Sequence, residues 1–595
     1  MNYTRGGAML LGVERSFTGR LWRSRAGDER TALALSQRLR LPEIVGRVLA
    51  ARGVGLEEAE AFLSPTLRDH LPDPFVLKDM DKAAKRLATA VTTGENIAIF
   101  GDYDVDGATS SALLARFLRA TGREARIYIP DRVKEGYGPN DEAMRKLKAE
   151  GISLVVTVDC GITAFLPLET AAEIGLDVVV IDHHEAEPRL PRAAAVVNPN
   201  RLDEDRTFGH LAAVGVAFLL AVATNRELRN LGWYKDGQRE PDLLQLLDLV
   251  ALGTVCDVVP LKGINRALVS QGLKVMAGRS NPGLAALADV AGVRERPEAF
   301  HAGYVLGPRV NAGGRVGGAA LGARLLSTDN QEEAADLARQ LNECNKQRQE
   351  VEAVVLLSAI EMVESAPDPG LPFLFVAGED WHPGVVGIVA GRLKERYNRP
   401  ACAVSIENGI GKGSGRSIHG VDLGAAIIAA RQAGILTHGG GHAMAAGFSV
   451  PAERIDELKA FLRERVEAQL GGEAPVPVLE LDGALDAGGA TVNLIEVIRR
   501  CGPFGAGNEE PRFAIAAVRV AKADIVGMGH VRCFLVGENG AKLKAMAFRE
   551  ADSELGYALL NSEGALLHIA GTLRSDNWNG RNSVQLVIED AAMAR

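Results

Sequence analysis

An α/β fold built on a buried parallel sheet, followed by a long helix, a smaller α/β unit and a C-terminal β-barrel, is what this sequence predicts. Three patterns predict it. The runs IAIFGDYDVDG, LVVTVDCGI and DVVVIDHH are apolar up to their acidic ends and are separated by helical segments, as strands covered on both faces are. Between 330 and 365 the sequence has helical spacing without a glycine or a proline. Towards the C-terminus, AAVRVAKADIV, HVRCFLVG, AKLKAMAF and LHIAGTLRSDNWNGRNSVQLVIED alternate apolar and polar residues, with an Asn579-Gly580 turn in the last.

Taken in order, the chain divides into an N-terminal helical segment (1–74), a parallel-sheet domain (75–330), a long connecting helix (331–366), a second α/β domain (367–470) and a barrel domain (476–595). From about residue 36 short amphipathic helices run to LPDPF, whose prolines mark a turn; the residues before 36 carry no pattern, and Met9 is an alternative start. The second α/β domain opens with the strand FLFVAG and contains three glycine-rich stretches that read as turns; GGEAPVPVLE after it reads as a linker.

At 595 residues the chain exceeds one hydrophobic core, and 47% hydrophobic with 24% charged residues is the balance of folded domains. The net charge of −9 means that any polyanion must be met by local basic patches or by bound metal. Six scattered cysteines without a CxxC pair point to reduced thiols, hence a cytoplasmic protein. Neither a secretory h-region nor the ~18 uninterrupted apolar residues of a membrane span is found.

The chemistry concentrates at the strand ends. Asp102, Asp104 and Asp106 alternate directly after AIFG, where solvated anions would repel one another unless a cation were present. Asp159 follows LVVTV, and Asp182-His183-His184 follows VVVI, so carboxylates and imidazoles gather at the carboxyl edge of one sheet, where ligand crevices of open α/β sheets lie. An exposed acidic turn is the alternative for the first cluster alone; an EF-hand is disfavoured because no Glu stands at its twelfth position. Oxygen ligands with one or two imidazoles suit Mn²⁺ or Mg²⁺. Asp257, in LLDLVALGTVCDVVPL, follows an apolar helix at a Gly-Thr turn that could swing its carboxylate back to the sheet. Further on, the glycines of GKGSGRS admit backbone N–H groups to a phosphate beside Ser414 and Arg416, although Ile406 rules out a Walker A loop. Arg309, Asn311 and Arg315 of GPRVNAGGR form a second cationic cluster.

Motif after motif, from DYDVDG, VDCGI, DHH and GTVCDVVPL through GPRVNAGGR, GVVGIVAGR, GKGSGRS and GGGHAMAAG to GPFGAGNEEPRF, the chain resembles the DHH phosphoesterase family in its exonuclease branch. The resemblance implies a 5′-to-3′ exonuclease on single-stranded DNA, releasing 5′-mononucleotides in recombination and repair, with a DHHA1 domain and an OB-type barrel after the catalytic domain. It also implies two divalent ions, one held by Asp104 and Asp159 with help from Asp102, the other by Asp106, Asp159, His183 and Asp257. Asp159 would bridge them, and His184 would face the substrate phosphate. Phe100 stands where some relatives carry a histidine, a loss for which Asp102 would compensate. Arg309, Ser414 and Arg416 would hold the 5′-terminal phosphate, Asn311 and Arg315 would bind substrate beside them, and His442 would close over the site. Phe534, Phe548 and Trp578 are the barrel's stacking candidates. Implied partners are single-strand-binding protein and a helicase, acting on a monomer. A phosphodiesterase for short RNA or cyclic dinucleotides would need no barrel, and a non-catalytic scaffold would have lost these carboxylates.

Overall fold

The structure is a computed structural model that describes residues 7–131, 135–136, 138–235, 237–366, 370–471, 476–576 and 583–594. Trp578 and the Asn579-Gly580 turn lie outside these residues. Two compact units are formed: Met1–Gly307 with Gly322–Ala335 and Pro477–Arg595, and Pro308–Leu321 with Asp336–Val476.

In the first unit a five-stranded, all-parallel sheet runs in the order Ala125–Tyr128, Ile97–Gly101, Leu154–Val158, Asp177–Ile181, Ala195–Val197. Ile97–Gly101 and Leu154–Val158 are buried along their whole length, as their unbroken apolar runs require. The chain order reverses between these two strands, which is where such sheets open a crevice at their carboxyl ends. Helices Val105–Ala120, Ala213–Asn230 and Leu247–Cys256 pack on one another beside it.

The barrel belongs to the same unit. Strands Phe513–Val526, His530–Val536, Lys542–Ala547, Ser583–Met593 and Leu566–Asp576 pair in that order, and the last pairs again with the first, closing a five-stranded barrel. Its core is not its own. Leu35, Val45, Val48 and Leu49 of the N-terminal helices share one apolar cluster with Phe513, Ile515, Val518 and Leu567 of the barrel. The patternless N-terminus is part of this body: Leu21–Ser24 pairs in parallel with Val478–Leu481, and buried Trp22 donates from Nε1 to Asp590 Oδ2 at 2.8 Å.

The second unit holds a mixed sheet in the order His438–His442, Ala445–Pro451, Ile410–Arg416, Ala401–Glu407, Leu374–Glu379. The long helix Gln331–Glu364, which belongs to this unit from Asp336 on, is started by Asn330, whose side chain accepts from the N–H groups of Glu332 and Glu333. The three glycine-rich stretches are not turns. GVVGIVAGR runs into helix Val386–Tyr397 after its first two residues, GKGSGR lies in a central strand and GGGH in an edge strand. Among the described residues no helix is long and apolar enough to cross a membrane.

Candidate active site

Local backbone structure aims each acidic group of the first unit. Asp104 is the N-cap of helix Val105–Ala120, its Oδ1 accepting from Gly107 N at 3.0 Å. Asp106, in the first turn of that helix, is itself held at a second helix start: Oδ2 accepts from Ala213 N at 2.6 Å and Oδ1 from Val214 N at 2.9 Å. Asp159 follows its strand with φ 61°, a left-handed conformation that non-glycine residues adopt at a cost of about 1–3 kcal/mol and that recurs at functional sites. Asp257 is the C-cap of Leu247–Cys256. The expected Gly-Thr turn before it is absent, because Gly253 and Thr254 continue the helix; a Cβ on Gly253 would collide with Thr109 Oγ1 and lie 3.1 Å from Asp106 Oδ1. The glycine therefore lets this helix approach the acidic cluster instead of breaking it.

His183 stands at the centre. Its Nε2 is 3.3 Å from Asp159 Oδ1 and 3.9 Å from Asp106 Oδ2, and its Nδ1 is 3.6 Å from Asp257 Oδ2. Ligand atoms within 4.8 Å of one another define three groups: Asp102, Asp104 and Asp159; Asp106, His183 and Asp257; and Asp159, His183 and His184. The electrostatics call for a cation. Burial, and then the charge of Asp104, pushes Asp106 up to about 7. Burial, then Asp106 and Asp104, pushes Asp257 up to about 9, and its buried Oδ2 has no hydrogen-bond partner among the described residues. Asp159 is raised well above its ordinary value by burial and four neighbouring aspartates. These are donor sets for a hard divalent ion, and His183, pushed down to about 4 by burial and by His184, presents the neutral imidazole that ligation needs.

His184 is in the opposite state. Burial lowers it, but the Nδ1 contact with Asp182 Oδ1 at 2.7 Å and the charges of Asp182, Asp257 and Asp106 outweigh that and raise it to about 9. It is a cation with 44% of its side chain exposed, suited to a phosphate. Asp182 is the organiser of the loop. Burial would raise it, yet His184 and the N–H groups of Ile162, His183 and His184 hold it ionised, below the ordinary carboxylate range. Two asparagines escaped the sequence reading: Asn198 and Asn200 donate to the carbonyls of His184 and His183 at 2.9 and 2.6 Å. Their place just after strand Ala195–Val197 was the signal. Cys160 is buried, with its thiol pushed up by burial, and belongs to the packing.

In the second unit a cleft of about 270 Å³ is lined by Arg315, Gly387, Ile388, Gly391, Arg392, Glu395 and Arg416. Ser414 and Arg416 project from one face of strand Ile410–Arg416, with Arg416 Nη1 donating to Ser414 Oγ at 3.0 Å. A Cβ on Gly387 would stand 3.1 Å from that hydroxyl and 3.3 Å from Arg416 Nη2, so the glycine keeps the floor open. Burial lowers the pKa of Arg416, a strain on the guanidinium that an anion would relieve. The expected backbone cradle is not there: residues 411–415 pair with strands on both sides, so the ladder occupies their N–H groups. Side chains alone can offer donors. Arg315 joins them, its Nη1 tied to Gly384 O at 2.7 Å, and Arg392 is a lining residue that sequence reasoning missed. Arg309 and Asn311 lie on helix Gly307–Val316 outside the cleft lining, Arg309 donating to Asn342 Oδ1 at 3.0 Å; His442 is exposed on the edge strand His438–His442.

Comparison with known proteins adds names to this geometry. The DHH family N-terminal domain matches residues 96–254, the DHHA1 domain residues 370–468 and the RecJ OB domain residues 481–590. The single-stranded-DNA-specific exonuclease RecJ of Bacillus subtilis (strain 168) is 36% identical over 581 residues, which cover 96% of the chain and 71% of that protein. Among solved structures, RecJ from Thermus thermophilus in complex with Mn²⁺ superimposes with a TM-score of 0.79 at 30% identity, covering 95% of this chain and 78% of that one. The complex of Thermus thermophilus RecJ with Mg²⁺ gives 0.72 at 28% identity, covering 96% and 77%.

Proposed function

The chain belongs to the RecJ family of DHH phosphoesterases, and from that premise we propose that it is a 5′-to-3′ exonuclease on single-stranded DNA. It hydrolyses phosphodiester bonds with two divalent ions, Mn²⁺ or Mg²⁺, and releases 5′-mononucleotides in recombination and repair. The observation that carries the reading is the pairing of two donor groups of buried and half-buried residues, Asp102–Asp104–Asp159 and Asp106–His183–Asp257, at the switch point of one parallel sheet.

Asp104 and Asp159, with Asp102, would hold one ion; Asp106, His183, Asp257 and again Asp159 would hold the other. Bound there, such ions would supply an activated water and charge stabilisation for the transferring phosphoryl group. The chain's own residues do the rest. Asp182 keeps His184 protonated and oriented, so that the imidazolium meets a phosphate oxygen of the strand. Asn198 and Asn200 fix the backbone of both histidines. In the second unit Ser414, Arg416 and Arg315 offer donors to the 5′-terminal phosphate, and Arg309, Asn311 and His442 are proposed as further contacts with the strand.

The functional divisions follow 75–330 for hydrolysis, 367–470 for the strand's end and 476–595 for its body. A net charge of −9 leaves strand capture to local basic surfaces and to partners, and single-strand-binding protein and a helicase are the partners proposed for a cytoplasmic monomer. The test is direct: with Mn²⁺ or Mg²⁺, purified protein shortens a 3′-labelled single strand and spares blunt duplex. Equal attack on both would defeat the substrate assignment.

A further inference from the structure

The motif GPFGAGNEEPRF opens the barrel and, read as sequence, touches nothing catalytic. In the structure its loop, 501–508, lies against the segment that leaves Asp257. The residue after Asp257, Val258, has φ 60°, a left-handed conformation that a β-branched side chain adopts only where its surroundings impose it. Val258 itself is exposed, and the barrel loop meets the chain just beyond it, at Pro260 and Leu261. Buried Leu261 donates its N–H to Ala506 O at 2.8 Å. Gly507, itself at φ 68°, comes so close that a Cβ there would lie 3.1 Å from Pro260 Cβ, and one on Gly505 would lie 2.8 Å from Leu261 Cδ1.

Two consecutive side chains of helix Gly263–Ala277 complete the clasp. Asn265, fully buried, donates from Nδ2 to Pro260 O at 3.1 Å and to His210 O at 2.6 Å. It thereby joins the segment after Asp257 to the segment whose next turn, Ala213 and Val214, holds both oxygens of Asp106. Arg266 faces the other way. It is buried and makes no ion pair among the described residues; instead Nη2 donates to Cys501 O and Gly502 O at 2.9 and 2.6 Å, Nε donates to Phe62 O, and the guanidinium sits 3.7 Å over the Phe62 ring. Asn508 closes the loop, donating to Cys501 O and Pro503 O at 2.9 and 2.8 Å and accepting from Arg52.

We propose that loop 501–508, acting through Asn265 and Arg266, is a positioning device for the Asp106–His183–Asp257 group, so that the barrel domain sets the geometry of one metal site. The proposal rests on the two-ion reading. Asn265 binds the two backbone segments that carry or hold the carboxylates, while Arg266 anchors its helix to the barrel loop through the carbonyls of Cys501 and Gly502. Among the described residues, the hydrogen bonds of Asn265, Arg266 and Asn508 given above all go to other partners than the second donor group, Asp102–Asp104–Asp159. Disturbing the clasp therefore weakens one ion and spares the other, and the strand's affinity is left alone.

The experiment titrates full-length protein with Mn²⁺, following the electron paramagnetic resonance of the free ion, for the wild type and for Asn265→Ala, Arg266→Lys and Gly507→Ala. Expected is a loss of roughly 10–100-fold in one class of Mn²⁺ site, as for lost outer-shell partners, with the second class unchanged. At fixed low Mn²⁺, kcat falls while KM for a long strand holds, and raising Mn²⁺ restores kcat. If Asn265→Ala or Arg266→Lys does not fold, Gly507→Ala at its exposed position decides. Variants that fold and titrate like the wild type overturn the proposal, as does a rise in KM with Mn²⁺ affinity intact, which would make the loop a strand contact. A wild type that binds no Mn²⁺ refutes the metal reading itself, a result distinct from either.

Discussion

The acidic cluster of the first unit and the basic cleft of the second are built by opposite means. In the cluster, the backbone aims the side chains: strand ends deliver Asp102, Asp159 and Asp182, and helix starts hold Asp104 and Asp106. In the cleft the backbone is spent on its own ladder, and side chains from a strand and a helix meet only because Gly387 leaves room. The first arrangement concentrates like charges that oppose folding until a cation arrives; the second buries Arg416 with a hydroxyl and a carbonyl for company, a setting suited to an anion. What differs is which part of the chain carries the information.

The largest effect should come from the residue shared by both donor groups. Asp159→Asn removes the ligand proposed for both ions, and single-turnover hydrolysis should fall by roughly 10³-fold or more, several kcal/mol of lost charge stabilisation. The same variant should melt no lower than the wild type in chelator, since a raised carboxyl is a burden on the metal-free fold. A destabilised, still active variant would reverse the comparison, making the cluster structural. The cleft offers the next effect. Arg416→Ala should raise KM for a 5′-phosphorylated strand about 10–100-fold, the equivalent of one charge-assisted hydrogen-bonded contact at about 1.5–3 kcal/mol, and leave Mn²⁺ affinity alone. Equal effects on 5′-phosphate and 5′-hydroxyl strands would show that the cleft does not read the end.

This contrast explains what could be read beforehand. Strand-end aspartates are legible because an apolar run fixes its own terminus, and a parallel sheet then aligns the termini of neighbouring strands. Asp257 was found by its residues but with the wrong local structure: Gly253 looked like a breaker, whereas its use is the close approach of one helix to Asp106. Glycines at 411–415 misled for a related reason, since only the partner strands decide whether their N–H groups are free. Least legible was the N-terminus. Trp22 finds Asp590 across 568 positions, and Leu35 shares a core with Phe513, pairings for which no local periodicity exists. One practical consequence is that removing the barrel would strip the N-terminal helices of their core, so strand binding is better probed by point substitutions.

A smaller effect follows from the protons of the metal-free cluster. Asp106 at about 7 and Asp257 at about 9 hold protons in the folded chain that the unfolded chain releases near 3.8. Such groups favour the folded state below 3.8, and their contribution is lost as pH rises through 7 and then 9. Metal binding displaces those protons, so Mn²⁺ should bind more tightly, and raise Tm by more, at pH 8 than at pH 6. Differential scanning calorimetry at both values, with and without Mn²⁺, measures it; a Tm gain independent of pH would mean that the ions bind elsewhere. The cleft, lined by Arg315, Arg392 and Arg416 with Glu395 in place of a carboxyl cluster, should contribute nothing to this difference.

The smallest effect tests whether the barrel adds a third kind of site. Phe534, one of the stacking candidates, points outward, 39% exposed, paired across the ladder with Lys522 on one side and Lys544 on the other and 5.9 Å from the guanidinium of Arg532. Phe548 is exposed as well, its ring 5.2 Å from that of His530. An aromatic ring flanked by cations is how single strands are held without regard to sequence, at about 1–3 kcal/mol per stacked base. Phe534→Ala should therefore raise KM for long strands by roughly 5-fold or more, leave di- and trinucleotides untouched, and keep kcat and the Mn²⁺ titration unchanged. Quenching of a tryptophan placed at 534 by oligo-dT gives the direct reading. If short and long strands suffer alike, the ring serves the barrel's packing, and the metal cluster and the cleft together must account for the whole preference for single strands.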